Sequence, residues 1–450
     1  MGTIYQGPPP VIQDLKVTLE DTSLVFPAQE TQRKSMFLSN IDQVLNFNVQ
    51  TVHFFKAHPD FPPEIVTQKL KNALCELLVP YDFLAGRLKL NQGGRLEIES
   101  NAAGAGFVVA STEFSLNDIG DLVYPNPAFR QLTVQSLDSL GPDDQPLCIL
   151  QVTSFKCGGF AVGLSTNHAT FDGLSFKLFL QNLASQAAHK PLAVIPCNDR
   201  QLLAARSPPR VTFPHPELLK LKIPVGTDFN PPVFDRSQED LDFKIFRLSS
   251  GHVSHLKEKA RIGATNPATT KITGFNVVTA HIWRCKALSC DAGDNQDRLS
   301  TVLYAVDIRP RLCPPLPPSY SGNAVLTAYA TAQCKDLEEG PFSRLVEMVS
   351  EGAARMTDEY ARSAIDWGEL YKGFPHGEFL VSSWWRLGFA EVEYPWGKPM
   401  YSCPVVYHRK DIILLFPDID GVASNGVNVL VALPAKEMEK FQTLFHKFLA

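Results

Sequence analysis

No part of the 450-residue chain approaches the roughly 20 consecutive apolar residues of a membrane-spanning helix. The longest apolar runs, such as Ile412–Phe416, are of strand length. The opening MGTIYQGPPP lacks the basic and apolar regions of a secretory signal. Gly2 has Gln, not Ser or Thr, at position 6, so a myristoylation signal is missing, and the terminal HKFLA carries neither a prenylation nor a peroxisomal signal. These absences make a cytoplasmic protein without a membrane span the expectation.

Paired cysteines are absent too. The nine cysteines are scattered, odd in number and without a C-x-x-C pair, which argues against a disulfide framework or a zinc site; no metal is expected. Cys285 follows His281 by four residues, but AHIWRCKAL reads as one helix, which weakens a Cys–His nucleophile there. A formal net charge of −5 with no basic tail excludes an evident nucleic-acid surface.

What the chain has in quantity is apolar sequence, 44% of its residues. Single cores stop growing at about 250–300 residues, so this length predicts two domains. The apolar spacing in PPEIVTQKLKNALCELL and in LSFKLFLQNLASQAAH predicts helices. GRLKLNQGGRLEIES reads as a hairpin, and two further strands bracket Gly158 and Gly159. Residues 191–235 are dense in Pro and poor in periodicity, the texture of a crossover between domains. The predicted division is an N-terminal domain, 1–190, the crossover, 191–235, and a C-terminal domain, 236–450. SCPVVYHRKDIILLFP reads as strand, turn, strand, and the final fifteen or so residues as an amphipathic helix. Strands and helices alternate in both halves, so the fold class is mixed α/β.

The stretch STNHATFDGLS places His168 four residues before Asp172, with Gly173 next. Eleven histidines, with Asp at about 5% of positions, give roughly half a chance match to H-x-x-x-D. The setting adds weight, because His168 ends a strand and precedes a turn and a helix, where scaffolds present reactive groups. Gly173 would let the turn adopt positive φ. A catalytic base and a histidine filling a polar niche both fit this position.

NHATFDG resembles the H-x-x-x-D-G motif of the BAHD plant acyltransferases, which take acyl groups from coenzyme A thioesters. SSWWRLGFAEVEYPWGKP is similar to that family's D-F-G-W-G motif, and DIRPRLCPPLPPSYSGNA to its central Asp-x-Arg segment and following turn. FLSNIDQ, VPYDFLAGRL and AHIWRCKAL also match family stretches in order. The second motif departs from the pattern: Glu393 stands for Asp and Pro395 for Gly, followed by Trp396 and Gly397.

The resemblance implies two chloramphenicol-acetyltransferase-like domains with a solvent channel between them, and transfer of a non-aminoacyl group. Acyl-CoA would be a co-substrate, with no cofactor bound permanently. It also implies His168 as general base without a covalent acyl-enzyme, and Asp172 as a structural residue paired with Arg309. Trp384 is the candidate oxyanion donor, beside Ser382; Asn40 and Lys372 are candidate acceptor contacts, and Lys257 and Lys398 candidate coenzyme A contacts. Likeness to the subgroup acting on long-chain alcohols or ω-hydroxy acids favours a hydroxycinnamoyl donor and an apolar alcohol. An amine acceptor, or a catalytically silent scaffold or receptor of the same fold, is the alternative. A monomer is expected.

Overall fold

Eight consecutive buried residues, Phe160–Asn167, form the strand that leads to His168. Burial on both faces explains why it reads as a run of small and apolar residues instead of alternating. The computed structural model describes residues 4–5, 12–123, 126–221, 240–263, 271–290, 297–405, 409–418 and 426–450.

Phe160–Asn167 lies inside a six-stranded sheet ordered Tyr401–Pro404, Asn48–Phe55, Phe160–Asn167, Cys148–Phe155, Ala105–Thr112 and Thr18–Val25. The pairings are antiparallel except that between Ala105–Thr112 and Cys148–Phe155. Helices Pro63–Leu77 and Gly173–Ala187 pack over one face. The latter buries Phe176, Phe179, Leu180, Leu183, Ala184 and Ala187, the i, i+3, i+4 stripe of a surface helix.

A second, seven-stranded sheet runs Ile4–Tyr5, Asp242–Leu248, Val427–Leu433, Ile412–Pro417, Phe379–Ser383, Leu299–Asp307 and Val325–Gln333. Helices Ser250–Arg261, Gly274–Ser289, Phe342–Ala354 and Ala435–Leu449 complete its core. The two sheets meet across an apolar layer with Val52, Phe54 and Phe129 on one side and Ile245, Phe416 and Leu430 on the other.

The sheets do not divide the chain at 190 and 236. Tyr401–Pro404 pairs with Asn48–Phe55 in the first sheet, and Ile4–Tyr5 pairs with Asp242–Leu248 in the second. Phe389, Val392, Tyr394 and Trp396 are buried in the first half's core. The strands flanking residues 405–411 are therefore not a hairpin, since each finds its ladder in a different sheet. Alternation within a strand sets its face, not its partner. The crossover is also no loose linker as far as it is described. It carries the turn Arg200–Leu203, with Arg200 and Leu203 buried, and Leu218–Lys220 pairs with Gly373–Pro375; residues 222–239 lie outside the described residues.

Candidate active site

His168 leaves the sheet at the end of Phe160–Asn167, its backbone N–H donating to Phe47 O at 2.8 Å. Asn167 closes the turn: its Oδ1 accepts from Ala169 N at 3.0 Å and its carbonyl from Thr170 N at 2.9 Å. Asp172 then caps the next helix, Oδ1 accepting from Ser175 N at 2.9 Å. Such a cap satisfies one of the donors a helix start leaves orphaned. Gly173 is not among the positive-φ residues. Its reason is space: a Cβ there would lie 2.7 Å from Leu387 Cδ1. The expectation of a positive-φ turn is therefore replaced by close approach.

The Asp172 carboxylate faces away from the His168 ring. Arg309 Nη2 lies 2.9 Å from both Asp172 oxygens, and Ala324 N donates to Oδ2 at 2.9 Å. Arg309 also donates to Asp307 Oδ1, Ser175 Oγ and Gly322 O. With side chains only 5% and 8% exposed, the pair is buried, and every lobe of the carboxylate is occupied. No hydrogen bond joins Asp172 to the imidazole.

His168 itself is half-buried. Its Nδ1 is shielded and has no hydrogen-bond partner, leaving Nε2 as the nitrogen available to a substrate. The Phe47 ring meets the imidazole edge-on at 5.2 Å. Burial pushes the His168 pKa below its ordinary 6.5, because the protein interior disfavours the charged form. Its own carbonyl, the Asp172 charge, the Asn323 side chain and the Phe171 carbonyl pull in the opposite direction without reversing it. A neutral imidazole at neutral pH is the form that accepts a proton.

Ser382 and Trp384 sit at the end of Phe379–Ser383, two residues apart and so on one side of the strand direction. Among the described residues no hydrogen bond is made by the Ser382 hydroxyl or the Trp384 indole N–H, and both residues are half-buried. Trp384 packs edge-on against Phe389 at 5.6 Å, between the first half's core and the layer joining the sheets. Asn40 is differently placed from the acceptor contact expected of it. Its Nδ2 donates to Ile365 O at 2.8 Å and Glu369 Oε2 at 3.0 Å, and its Oδ1 accepts from Arg95 Nη2 at 2.8 Å. With both ends of the amide engaged, Asn40 ties the halves together. Lys372 is exposed beside the Leu218–Lys220 pairing.

The second motif is a turn closed by Gly397 N to Tyr394 O at 2.9 Å and Tyr394 N to Gly397 O at 3.1 Å. Pro395 is the first of its two central residues, where a fixed φ suits a β-turn. Gly397 has φ +101°, which L side chains rarely adopt. Trp396 is buried among Phe55, Phe61, Phe160 and Tyr394. Glu393 is 74% exposed and 4.0 Å from exposed Lys398. Lys398 thus belongs beside the first sheet, whereas Lys257 lies half-buried on Ser250–Arg261 against the second; the two do not share one body.

Cys285 is buried in helix Gly274–Ser289, and burial pushes its thiol pKa up, so it offers no thiolate. Among the described residues no His, Cys, Asp and Glu cluster could hold a metal ion, and no helix is long and apolar enough to cross a membrane. A surface cavity of about 520 Å³ lined by Asn72, Cys75, Glu76, His189 and Lys190 contains none of these site residues. Three polar residues at the site have no role assigned from the sequence: Asp42 and Asn323, which lie in the family-like stretches FLSNIDQ and SYSGNA, and Arg200. Arg200 has no local signal, since a buried arginine in a Pro-dense segment shows only once its partners are assembled.

Residues 15–447 match the family model described as the Transferase family. The chain is a BAHD acyltransferase. It is 64% identical over 452 residues to the acyltransferase GLAUCE of Arabidopsis thaliana, covering 99% of each chain. It is 32% identical to an ω-hydroxypalmitate O-feruloyl transferase of the same plant, covering 96% of this chain and 93% of that one. The crystal structure of vinorine synthase is similar in fold, with a TM-score of 0.71 at 23% identity, covering 94% of this chain and 96% of that one. The two-domain mixed α/β fold is the family's, and the protein is an acyltransferase for non-aminoacyl groups.

Proposed function

We propose that the protein moves a hydroxycinnamoyl group from its coenzyme A thioester to the hydroxyl of an apolar acceptor, with His168 as general base. Nε2 takes the proton from the hydroxyl as its oxygen attacks the thioester carbonyl. The tetrahedral oxyanion is stabilised by the Trp384 indole N–H, beside Ser382. The C–S bond then breaks, and the proton on Nε2 passes to the departing thiolate. No covalent acyl-enzyme forms. Lys257 is the proposed contact for the coenzyme A phosphates and Lys398 a second, from the opposite half. The observation that carries the reading is a half-buried imidazole, in surroundings that disfavour its charged form, on a loop whose own carboxylate is held by Arg309, Ser175 N and Ala324 N.

A neutral acceptor is favoured by the cations around residues 366–382. The segment itself has no Arg. The arginines that touch it are spent: Arg206 on Asp366 and Glu359, Arg95 on Glu369 and Asn40, and Arg298 on Glu378. A carboxylate brought there without a free cation loses hydration uncompensated, several kcal/mol per unpaired ion. Exposed Lys372 is a flexible point charge without the fork of Arg.

His168→Ala is expected to lower kcat at least about 100-fold in a folded protein. Near-normal turnover would remove His168 from the base role. Competition between equal shikimate and 1-dodecanol, with p-coumaroyl-CoA as donor, tests the acceptor. Preferential acylation of shikimate, or of an amine offered in the same mixture, overturns the apolar-alcohol reading.

A further inference from the structure

We infer that Asp42, Arg200 and Asn323 form a positioning unit for His168 that grips the backbone of its loop, separately from the Arg309–Asp172 pair. The inference rests on His168 being the general base. Asn323 Nδ2 donates to His168 O at 2.8 Å and, with its other hydrogen, to Asp42 Oδ1 at 2.8 Å. Arg200 Nη2 donates to Thr170 O at 2.7 Å, while its Nη1 lies 3.4 Å from Asp42 Oδ1. Asp42 Oδ2 accepts from Ser39 N and Ser39 Oγ at 2.9 and 2.8 Å. Two carbonyls of the loop are therefore tied to one carboxylate, through two donors from distant parts of the chain.

The unit is sealed and specifically accommodated. The Arg200 and Asp42 side chains are 1% and 0% exposed. A Cβ on Gly322 would lie 1.9 Å from Arg200 Nη1, so the turn before Asn323 has room for the guanidinium only because it carries Gly. The guanidinium carbon lies 5.6 Å from the Phe83 ring centre and 5.9 Å from that of Tyr320, and Arg309 meets Tyr320 at 5.7 Å. Tyr320–Ala324 thus touches both arginines and, through Ala324 N, Asp172 itself.

The need for such a unit follows from the ring. A base histidine is ordinarily oriented by a hydrogen bond to its other nitrogen. Here Nδ1 has no partner and Asp172 points away. The place of Nε2 is then set by the backbone at His168 and the edge of Phe47. Holding His168 O and Thr170 O brackets that backbone, and displacement of a reacting group by about 1 Å can cost 100-fold in rate.

The test compares Asn323→Ala, Arg200→Lys and His168→Ala in the full chain with p-coumaroyl-CoA and 1-dodecanol. Carbethoxylation of His168 by diethyl pyrocarbonate, followed on the isolated peptide, supplies a readout independent of turnover. Asn323→Ala and Arg200→Lys are expected to lower kcat at least about tenfold with the KM for p-coumaroyl-CoA within about twofold. They should also change the His168 modification rate at least about threefold, because carbethoxylation needs an accessible, unprotonated imidazole nitrogen. In a His168→Ala background, Asn323→Ala should add no further loss, because its effect passes through the imidazole. Trp283→Phe, which removes a buried hydrogen bond to Ser300 in the other core, serves as a control for general loosening. If it depresses kcat as much as Asn323→Ala does at equal loss of melting temperature, positioning is refuted. The same follows if Asn323→Ala leaves both kcat and His168 reactivity unchanged. Full activity of His168→Ala would instead overturn the base assignment itself.

Discussion

The two motif loops of this protein carry their acidic residues in opposite ways. Asp172 is buried, with Ser175 N, Ala324 N and Arg309 around it. Glu393 points into solvent with Lys398 4.0 Å away. A carboxylate of the first kind cannot be exchanged without stripping Arg309 of its buried partner and leaving it only the part-exposed Asp307, whereas the second tolerates an added methylene. The contrast explains how the second motif can depart from its family pattern while the first keeps His, Asp and Gly. In the second loop the fold rests on an indole and a turn; in the first it rests on a charge.

The largest expected effect breaks the charged side of that comparison. Asp172→Asn breaks the buried pair and leaves the guanidinium with Asp307, itself a third exposed, as its carboxylate partner; this should cost about 3–4 kcal/mol of stability, read by urea denaturation. A loss under about 1 kcal/mol would mean that the amide satisfies Arg309 as well as the carboxylate does. Next, Trp396→Ala removes the side chain that fills the aromatic cluster with Phe55 and Phe160, at about 3 kcal/mol. Its transfer rate, measured well below the melting temperature, should remain within about threefold, since the rings around Trp396, those of Phe55, Phe61, Phe160 and Tyr394, include none of the proposed catalytic residues.

The pH dependence sharpens the comparison without mutation. The His168 pKa is depressed, so the neutral base persists below pH 6.5, and the acid limb of kcat/KM should fall below that value. In the Asp172→Asn protein the limb should move lower still, because the lost charge favoured the protonated ring. An acid limb above 6.5 contradicts both statements. For stability the sign is the same for His168, His53 and His281, all lowered by burial. A folded pKa below the unfolded 6.5 means that the unfolded chain binds the proton first, so stability falls as pH drops below 6.5 and levels off at the folded value. His53, pushed down to about 3 by burial, and His281, pushed to about 3 by burial and by nearby cations, extend that loss across the acid range. Urea midpoints between pH 7 and 4 measure it. The smallest effect is expected from Glu393→Gln, which should leave the melting temperature within about 1 °C, as an exposed pair contributes little.

Much of this was legible in the residues. The helix after Gly173 shows its apolar stripe, and its N-cap is the motif Asp itself. The strand before His168 announces itself by its length and its small and apolar residues. The Asp172–Arg309 pairing came from family likeness, since nothing local links positions 137 residues apart. Gly173 was read for its backbone freedom, yet the constraint on it is the Leu387 side chain, far along the chain. Asn40 was read as an acceptor contact and is instead committed to Ile365, Glu369 and Arg95.

By itself, the sequence determined the alternation of strands and helices, the two-core size and the reactive stretch at a strand end. These are periodic or local properties, written in neighbouring residues. Only the tertiary structure decided which sheet takes Tyr401–Pro404, why Asp172 turns from His168, and how Arg200 and Asn323 reach its loop. A strand's alternation chooses its face and leaves its partner open, and a buried charge is settled only when every group around it is in place.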